Sequence, residues 1–224
     1  LTTEEIKACQ DAAKLDVTVD EIVQEWRDDM KKNPIGNFQF KRQTPPLKDM
    51  DISVLTPANS KRQEMISIYA DIDGFTKYVA DHIDNNAEDV VRTLHVLRAE
   101  LERVLTADFQ GRRVRFIGDC VHGLYADGTA HTTDKKMSVS EATRLAGALR
   151  SSFDLSIERL TEKGCSAGGL GLAIGFDLGP VSVTRLGTKG HRVRCAIGRK
   201  VLNSENRQCD CKGDETAIGQ AAYD

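Results

Sequence analysis

The sequence has no apolar run approaching the roughly 18 residues of a membrane-spanning helix, and no signal peptide is visible in it. It has no basic excess: 31 Lys and Arg stand against 34 Asp and Glu, for a net charge of −3. A general nucleic-acid binder would show that excess, so this class is set aside. There is no Cys-x-x-Cys pair. Six cysteines occur, at positions 9, 120, 165, 195, 209 and 211, and their spacing fits neither a zinc site nor a disulfide framework. All six read as reduced thiols of a cytoplasmic protein. Proline is scarce and uneven: four of the five fall between residues 33 and 64. No internal repeat or low-complexity tract is present. A chain that begins at Leu1 rather than Met is expected to lack its true N-terminus.

What is there suits one substantial domain with an appendage: 224 residues, 40% hydrophobic and 29% charged. Residues 1–32 read as a helical N-terminal segment. Thr2-x-x-Glu5 and Thr18-x-x-Glu21 are capping-box patterns, and Ile22, Trp26 and Met30 make one apolar stripe. The prolines make residues 33–64 an extended linker. In residues 1–60, acidic residues outnumber basic ones by 11 to 8, which accounts for the whole net charge of −3. The remainder, residues 61–224, is then neutral overall, and residues 65–224 within it are the catalytic candidate.

The stretch Ile66-Ser67-Ile68-Tyr69-Ala70-Asp71-Ile72-Asp73-Gly74-Phe75-Thr76 opens that region. Its β-branched and aromatic start reads as a buried strand that ends on a carboxylate, Asp71. A glycine turn follows and Thr76 opens a helix. Backbone N–H groups at Gly74, Phe75 and Thr76 suit phosphate oxygens. A carboxylate sits beside phosphate only with a divalent cation between them, so the stretch suggests metal-bridged phosphate chemistry. Alone, it also fits a capped turn. Asp73 is expected to point to the opposite side of the chain from Asp71.

Helices are expected over Phe75–His82, from the N-cap Asn86 onward, and after the cap Ser138-x-x-Glu141. Arg112–Tyr125 reads as two strands joined at Gly118-Asp119. Leu170–Phe176 and Val181–Arg185 read as strands joined by a Gly179-Pro180 turn, followed by a strand over His191–Ile197 and a helix after Gly198. His82 and His95 lack partners at ligand spacing and read as structural or exposed. The order predicts an α+β fold: a ferredoxin-like βαββαβ core with additions, with helices on one face of the sheet.

The sequence Ala-Asp-Ile-Asp-Gly-Phe-Thr, followed some forty residues on by a strand–Ile-Gly-Asp–strand hairpin, resembles the class III nucleotidyl cyclases, the adenylate and guanylate cyclase family. The resemblance covers roughly residues 65–224, and Gly175–Val183 looks like the family's strand–Gly-Pro–strand element. It implies that Asp71, Asp119 and the Ile72 carbonyl hold two divalent ions, Mg²⁺ or Mn²⁺. It also implies the reaction: the ribose 3′-hydroxyl of a nucleoside triphosphate attacks its own α-phosphorus and pyrophosphate leaves. Asn203 and Arg207 lie four apart on one helix face. They match the family's transition-state pair, Asn orienting the ribose and Arg stabilising charge on the α-phosphate. A chain carrying both halves implies a head-to-tail homodimer with shared active sites. The family's C-terminal phosphate-binding Lys has no obvious counterpart; Lys212, Lys189 and Arg199 are the substitutes within reach.

Two positions read the base in this family, and here they are Arg115 and Cys195 (or its neighbour Ala196). Neither the Lys/Asp pair common in adenylate cyclases nor the Glu/Cys pair common in guanylate cyclases is present. Arg115 offers only donors. It suits the acceptor edge of uracil, with guanine as competitor, and meets the amine of cytosine or adenine poorly. A short chain with Arg here is similar to bacterial pyrimidine cyclases of anti-phage signalling, whose cyclic product acts on a separate effector. The expectation is conversion of UTP to cyclic UMP. The alternatives are a cytidylate or guanylate cyclase, or an inactive cyclase-homology module that binds nucleotide or partners.

Overall fold

The computed structural model describes residues 19–32, 39–42, 47–129, 131–187 and 191–224. The chain divides into two units, Leu1–Phe38 and Gln39–Asp224. In the first, helix α1 spans Val19–Lys32. Asp28 accepts from Gln24 and Lys31, both at 3.1 Å, along its exposed face. The caps expected at Thr2 and Thr18 and the side chains of Ile22 and Trp26 lie outside the described residues.

The second unit is built on one long strand. Strand β1 (Phe40–Arg42) pairs in parallel with the start of β2 (Ser60–Asp73). Helix α2 (Phe75–Arg103) follows and runs into a π turn at Val104–Asp108. Strands β3 (Arg112–Ile117) and β4 (Cys120–Tyr125) form the expected hairpin. Helix α3 (Lys135–Glu162) leads to β5 (Gly171–Leu186), β6 (Val193–Ile197), α4 (Arg199–Cys209), β7 (Thr216–Ile218) and the short α5 (Gln220–Tyr223). The sheet order is β3-β4-β2-β5-β6, with β7 in parallel on β5. Strands β3, β4, β2 and β5 with α2 and α3 are the expected ferredoxin-like core, wholly antiparallel.

Alternation along β2 assigns its two faces. Ile66, Ile68, Ala70 and Ile72 enter a core with Leu97 and Leu101 of α2 and Leu145, Leu149 and Phe153 of α3. Met65 and Tyr69 enter a second core on the other face, with Val181, Val183, Val201 of α4, and Leu47, Met50, Ile52 and Leu55. So the sheet is covered on both faces, and the expectation of helices on one face only is corrected. The second cover comes from α4 and from short 3₁₀ turns at Leu47–Asp49, Ile52–Val54 and Pro57–Asn59. Those turns also correct the expected linker over 33–64. Proline excludes a long helix there, but four apolar side chains from 47 to 55 still bury themselves. The sheet curls, bringing its ends together where Arg194 Nη1 donates to Arg113 O at 3.3 Å.

Three local expectations shift. Phe75–His82 and the helix from Asn86 form one helix with a kink at Asn86 (φ −150°, ψ 54°), whose side-chain amide donates to the Asp89 carboxylate. Helix α3 starts at the N-cap Asp134, which accepts from Met137 N at 2.9 Å, while Ser138 is buried and accepts from Asp127 N. Gly179-Pro180 makes no turn, because β5 continues through it against β2 from Lys61 to Asp73. Pro180 falls between the end of β7 pairing at Phe176 and the start of β6 pairing at Ser182. A proline is tolerated at such an open edge.

Candidate active site

The outer end of β2 is where the chemistry collects. Strand β4 pairs with β2 only as far as Ala70, whereas β5 continues to Asp73. The backbone at Asp71, Ile72 and Asp73 therefore has a strand on one side only. Ile72 turns its side chain into the core, 1% exposed, while Asp71 emerges half-buried on the opposite face. The β3–β4 turn, with Gly118 at φ 61°, brings Asp119 to the same end.

The two carboxylates feel each other. Burial raises the Asp71 carboxyl above the ordinary range, and the neighbouring Asp119 charge raises it further. Burial raises Asp119 as well. The Cys120 thiol lies beside them, pushed up by burial and by the fields of Asp71 and Asp119. Carboxylates held ~4 Å apart repel by roughly 4 kcal/mol at an effective dielectric near 20. A divalent cation reverses that sign. The donors are oxygens, which Mg²⁺ and Mn²⁺ favour, so the residues present fit such an ion. Among the described residues no group of three or more His, Cys, Asp or Glu is arranged to hold a metal. Two carboxylates plus substrate phosphates are a usual Mg²⁺ set.

Asp73 corrects its expectation. Residues two apart on a strand share a face, and the Asp73 charge also raises Asp71. Its Oδ2 accepts from Gly213 N at 2.7 Å, tying the end of β2 to the loop before β7. Gly74 takes φ 81° and opens α2. The amides of Phe75 and Thr76 thus belong to a first helical turn, whose N–H groups have no intrahelical partner. The Phe75 side chain is buried and Thr76 is exposed.

Helix α4 lies across the face that bears Asp71. Gly175 makes this possible: a Cβ there would stand 2.2 Å from Gln208 N and 2.4 Å from Ser204 O. Ser204 Oγ donates to Ser67 Oγ at 2.8 Å, and Ser67 lies 3.1 Å from His122 Nε2. His122 is 1% exposed and stacks on Tyr69, with centroids 4.2 Å apart. Burial, and then Arg115, depress its pKa to about 3, so it is a neutral hydrogen-bonding group. Burial and then Glu205 push the Tyr69 phenol up.

Asn203 and Arg207 are placed differently from each other. Asn203 Nδ2 donates to Asp177 Oδ2 at 3.1 Å, and Lys200 Nζ pairs with the same oxygen at 3.1 Å. Asp177 is fully buried and also accepts from Leu178 N at 2.8 Å. Arg207 is exposed, 3.7 Å from Asp210. Arg115 is exposed on β3 beyond a bulge, opposite His122, and among the described residues it has no carboxylate partner at ion-pair distance. Cys195 sits half-buried on β6 opposite Thr184. Lys212 and Arg199 are exposed, and Lys189 lies outside the described residues.

Several members of this face were missed in the sequence: Ser67, Tyr69, His122, Asp177, Ser204 and Gln208. Period-2 alternation from Asp71 back to Tyr69 and Ser67 was a usable signal. The others depend on which helix crosses the sheet.

The fold matches solved structures. A class III adenylyl cyclase-like ATP-binding protein from Pseudomonas aeruginosa is 76% identical, with a TM-score of 0.88. The match covers 100% of this chain and 47% of that one. An adenylyl cyclase from P. aeruginosa, at 21% identity and a TM-score of 0.64 over 73% of this chain and 80% of its own, shows the fold alone. No family profile matches. The chain has the class III nucleotidyl cyclase fold and resembles that family, as its paired motifs implied.

Two curated relatives share one name. A uridylate cyclase of Pseudomonas aeruginosa is 76% identical over 224 residues, all of this chain and 44% of that protein. A uridylate cyclase of a Rhizobium species is 49% identical over 192 residues, 84% of this chain and 35% of that protein. The chain spans less than half the length of the curated relatives it matches. Among the described residues, no helix is long and apolar enough to cross a membrane.

Proposed function

We propose that Gln39–Asp224 is the catalytic domain of a uridylate cyclase, converting UTP to cyclic UMP and pyrophosphate. The observation that carries the reading is 76% identity over all 224 residues to a uridylate cyclase. The convergence of Asp71 and Asp119 at one end of the sheet supports it.

The step forms a bond from the ribose 3′-oxygen to the α-phosphorus and breaks the α–β phosphoanhydride. The 3′-hydroxyl proton passes to water, and pyrophosphate leaves with the bridging oxygen. Two Mg²⁺ or Mn²⁺ ions held by Asp71, Asp119 and the Ile72 carbonyl would lower the pKa of the hydroxyl and offset the triphosphate charge. The amides of Gly74, Phe75 and Thr76 hold phosphate oxygens. Asn203 orients the ribose, and Arg207 donates to the charge that grows on the α-phosphate. Arg115, with Cys195 lining the base pocket, presents donors to uracil. Because the reaction is intramolecular, positioning supplies most of the acceleration.

Within one protomer Asn203 is turned to Asp177 rather than to Asp71. That supports a head-to-tail homodimer, each site taking Asp71 and Asp119 from one subunit and Asn203 and Arg207 from the other. Exposed Ile197 and Leu202, at 54% and 61%, provide apolar surface beside α4 for such a contact. The resemblance supports a cytoplasmic enzyme whose product signals phage infection to a separate effector.

Incubation with each of the four nucleoside triphosphates and Mn²⁺, followed by product identification, tests the reading. Cyclic UMP is expected as the main product, and loss of turnover in Asp71→Ala and in Asp119→Ala. A preference for ATP, or near-native activity in either variant, would overturn it.

A further inference from the structure

Gln208 follows Arg207 on α4 and is 8% exposed, yet the proposed reaction gives it no part. Its Nε2 lies 3.4 Å from Asp71 Oδ2. Since a carboxylate only accepts, the NH₂ end of the amide must face it. We infer that Gln208 is a positioning residue of Asp71, and that it ties the helix bearing Asn203 and Arg207 to the carboxylate that serves the other active site of the dimer. This rests on the shared-site reading above.

The spacing explains why a glutamine stands here. Ser67 and Asp71 are four apart on β2, about 13 Å along a strand. Ser204 and Gln208 are four apart on α4, about 6 Å along a helix. The helix touches the sheet closely at Ser204, whose short hydroxyl reaches Ser67. It then needs a long side chain to reach Asp71. Gly175 lets the backbone of Gln208 itself lie against β5, so the amide starts from a fixed base.

The chemistry suits the task. A Lys or Arg here would neutralise Asp71 and weaken its hold on a cation, whereas a carboxamide orients the group and leaves its charge. Gln208 holds Oδ2, and the Cys120 thiol is a second hydrogen-bond partner of the same carboxyl, so the two side chains together fix how Asp71 faces a cation. A hydrogen bond of this length is common before substrate closes a site. Within a protomer, Asp71 and Arg207 work in different sites. Gln208, one residue from Arg207, is thus a direct link between the two sites.

Gln208→Leu keeps the volume and removes the donor, and Gln208→Met serves as a second variant should the first fold poorly. Mn²⁺ binding to the nucleotide-free protein, read by electron paramagnetic resonance of the free ion, is expected to weaken roughly three- to tenfold. The metal-free thermal midpoint should move by only a few degrees, because Ser204 and Gly175 still seat the helix. Unchanged Mn²⁺ affinity in a folded variant would overturn the assignment.

A placement experiment separates Asp71 from the helix. An Asp71→Ala protomer mixed with an Arg207→Ala protomer gives one intact site, which uses Asp71 of the second. Gln208→Leu added to the Arg207→Ala protomer should lower its kcat and raise its Mn²⁺ requirement. Added to the Asp71→Ala protomer, it should leave that site nearly unchanged. The reverse pattern would mean that Gln208 serves Arg207 instead. If the parent pair makes no cyclic nucleotide after proven subunit exchange, the shared-site reading fails, and the Mn²⁺ measurement still decides whether Gln208 holds Asp71.

Discussion

Three residues make separable demands. Arg207 lies exposed on α4, 3.7 Å from Asp210, so its guanidinium is open to substrate. Arg207→Ala should lower kcat by roughly 10²–10³ with little change in KM, the usual effect of one lost transition-state donor. Steady-state kinetics on UTP measures it, and a pure KM effect would assign Arg207 to ground-state phosphate. Arg115 has no carboxylate partner among the described residues, which leaves its donors for a base. Arg115→Ala should cost about 1–3 kcal/mol in UTP selection. The UTP:CTP ratio of kcat/KM should fall roughly tenfold; an equal fall for both would show that Arg115 only supports the hairpin. His122 makes its own contribution to acid sensitivity. Folded, it protonates near 3, whereas an unfolded histidine does so near 6.5. Between those values the unfolded chain binds the extra proton, so stability falls as pH drops, by at most about 1.4 kcal/mol per unit. Asp71 and Asp119 act oppositely, since raised carboxyls take up protons first in the folded state. His122→Gln should therefore flatten the loss of stability between about pH 6 and pH 4.5, read by urea unfolding at each pH; an unchanged slope would mean that His122 is not held neutral.

Helix α4 is the element on which the site turns, and Gly175 is its seat. Gly175→Ala should destabilise by about 1–3 kcal/mol, as overpacking does. If the protein instead lifts the helix, activity should fall much further than stability. Urea unfolding and turnover on the same preparation distinguish the two. The existence of α4, and the four-residue spacing of Asn203 and Arg207, were legible because a helix repeats every 3.6 residues. Its docking face was not: Ser204 and Gln208 read as ordinary polar positions until Ser67 and Asp71 are placed beneath them. The Gly179-Pro180 break misled for a similar reason. Local chemistry signals a turn there, but β2 runs on beside it and holds β5 straight. Ser138 looked like a cap, and Asp134 took that place four residues earlier.

At the scale of the whole molecule, the shared-site dimer makes the sharpest demand. Asp71→Ala is expected to be inactive alone, and Arg207→Ala to keep no more than about a hundredth of wild-type activity. Mixed in equal amounts and allowed to exchange, they should recover on the order of a quarter of wild-type activity, since half the dimers are mixed and each has one complete site. No recovery after proven exchange, or a strictly monomeric active form on size exclusion, would reject the arrangement. The apolar stretch from 47 to 55 belongs to this scale too. Proline-rich composition suggested a linker, but burial of Leu47, Met50, Ile52 and Leu55 makes it the floor of the second core.

By itself the sequence determined the order of elements, the two strand-end aspartates and the class they resemble. Those features are local: alternation, helical spacing and turn residues are set by neighbours along the chain. Tertiary structure alone decided that both faces of the sheet are covered, that Asp73 is tied to Gly213, and that Gln208 reaches Asp71 across 137 residues of sequence. Such contacts depend on which surfaces meet when a curled sheet buries its second face, and no periodicity along the chain encodes that.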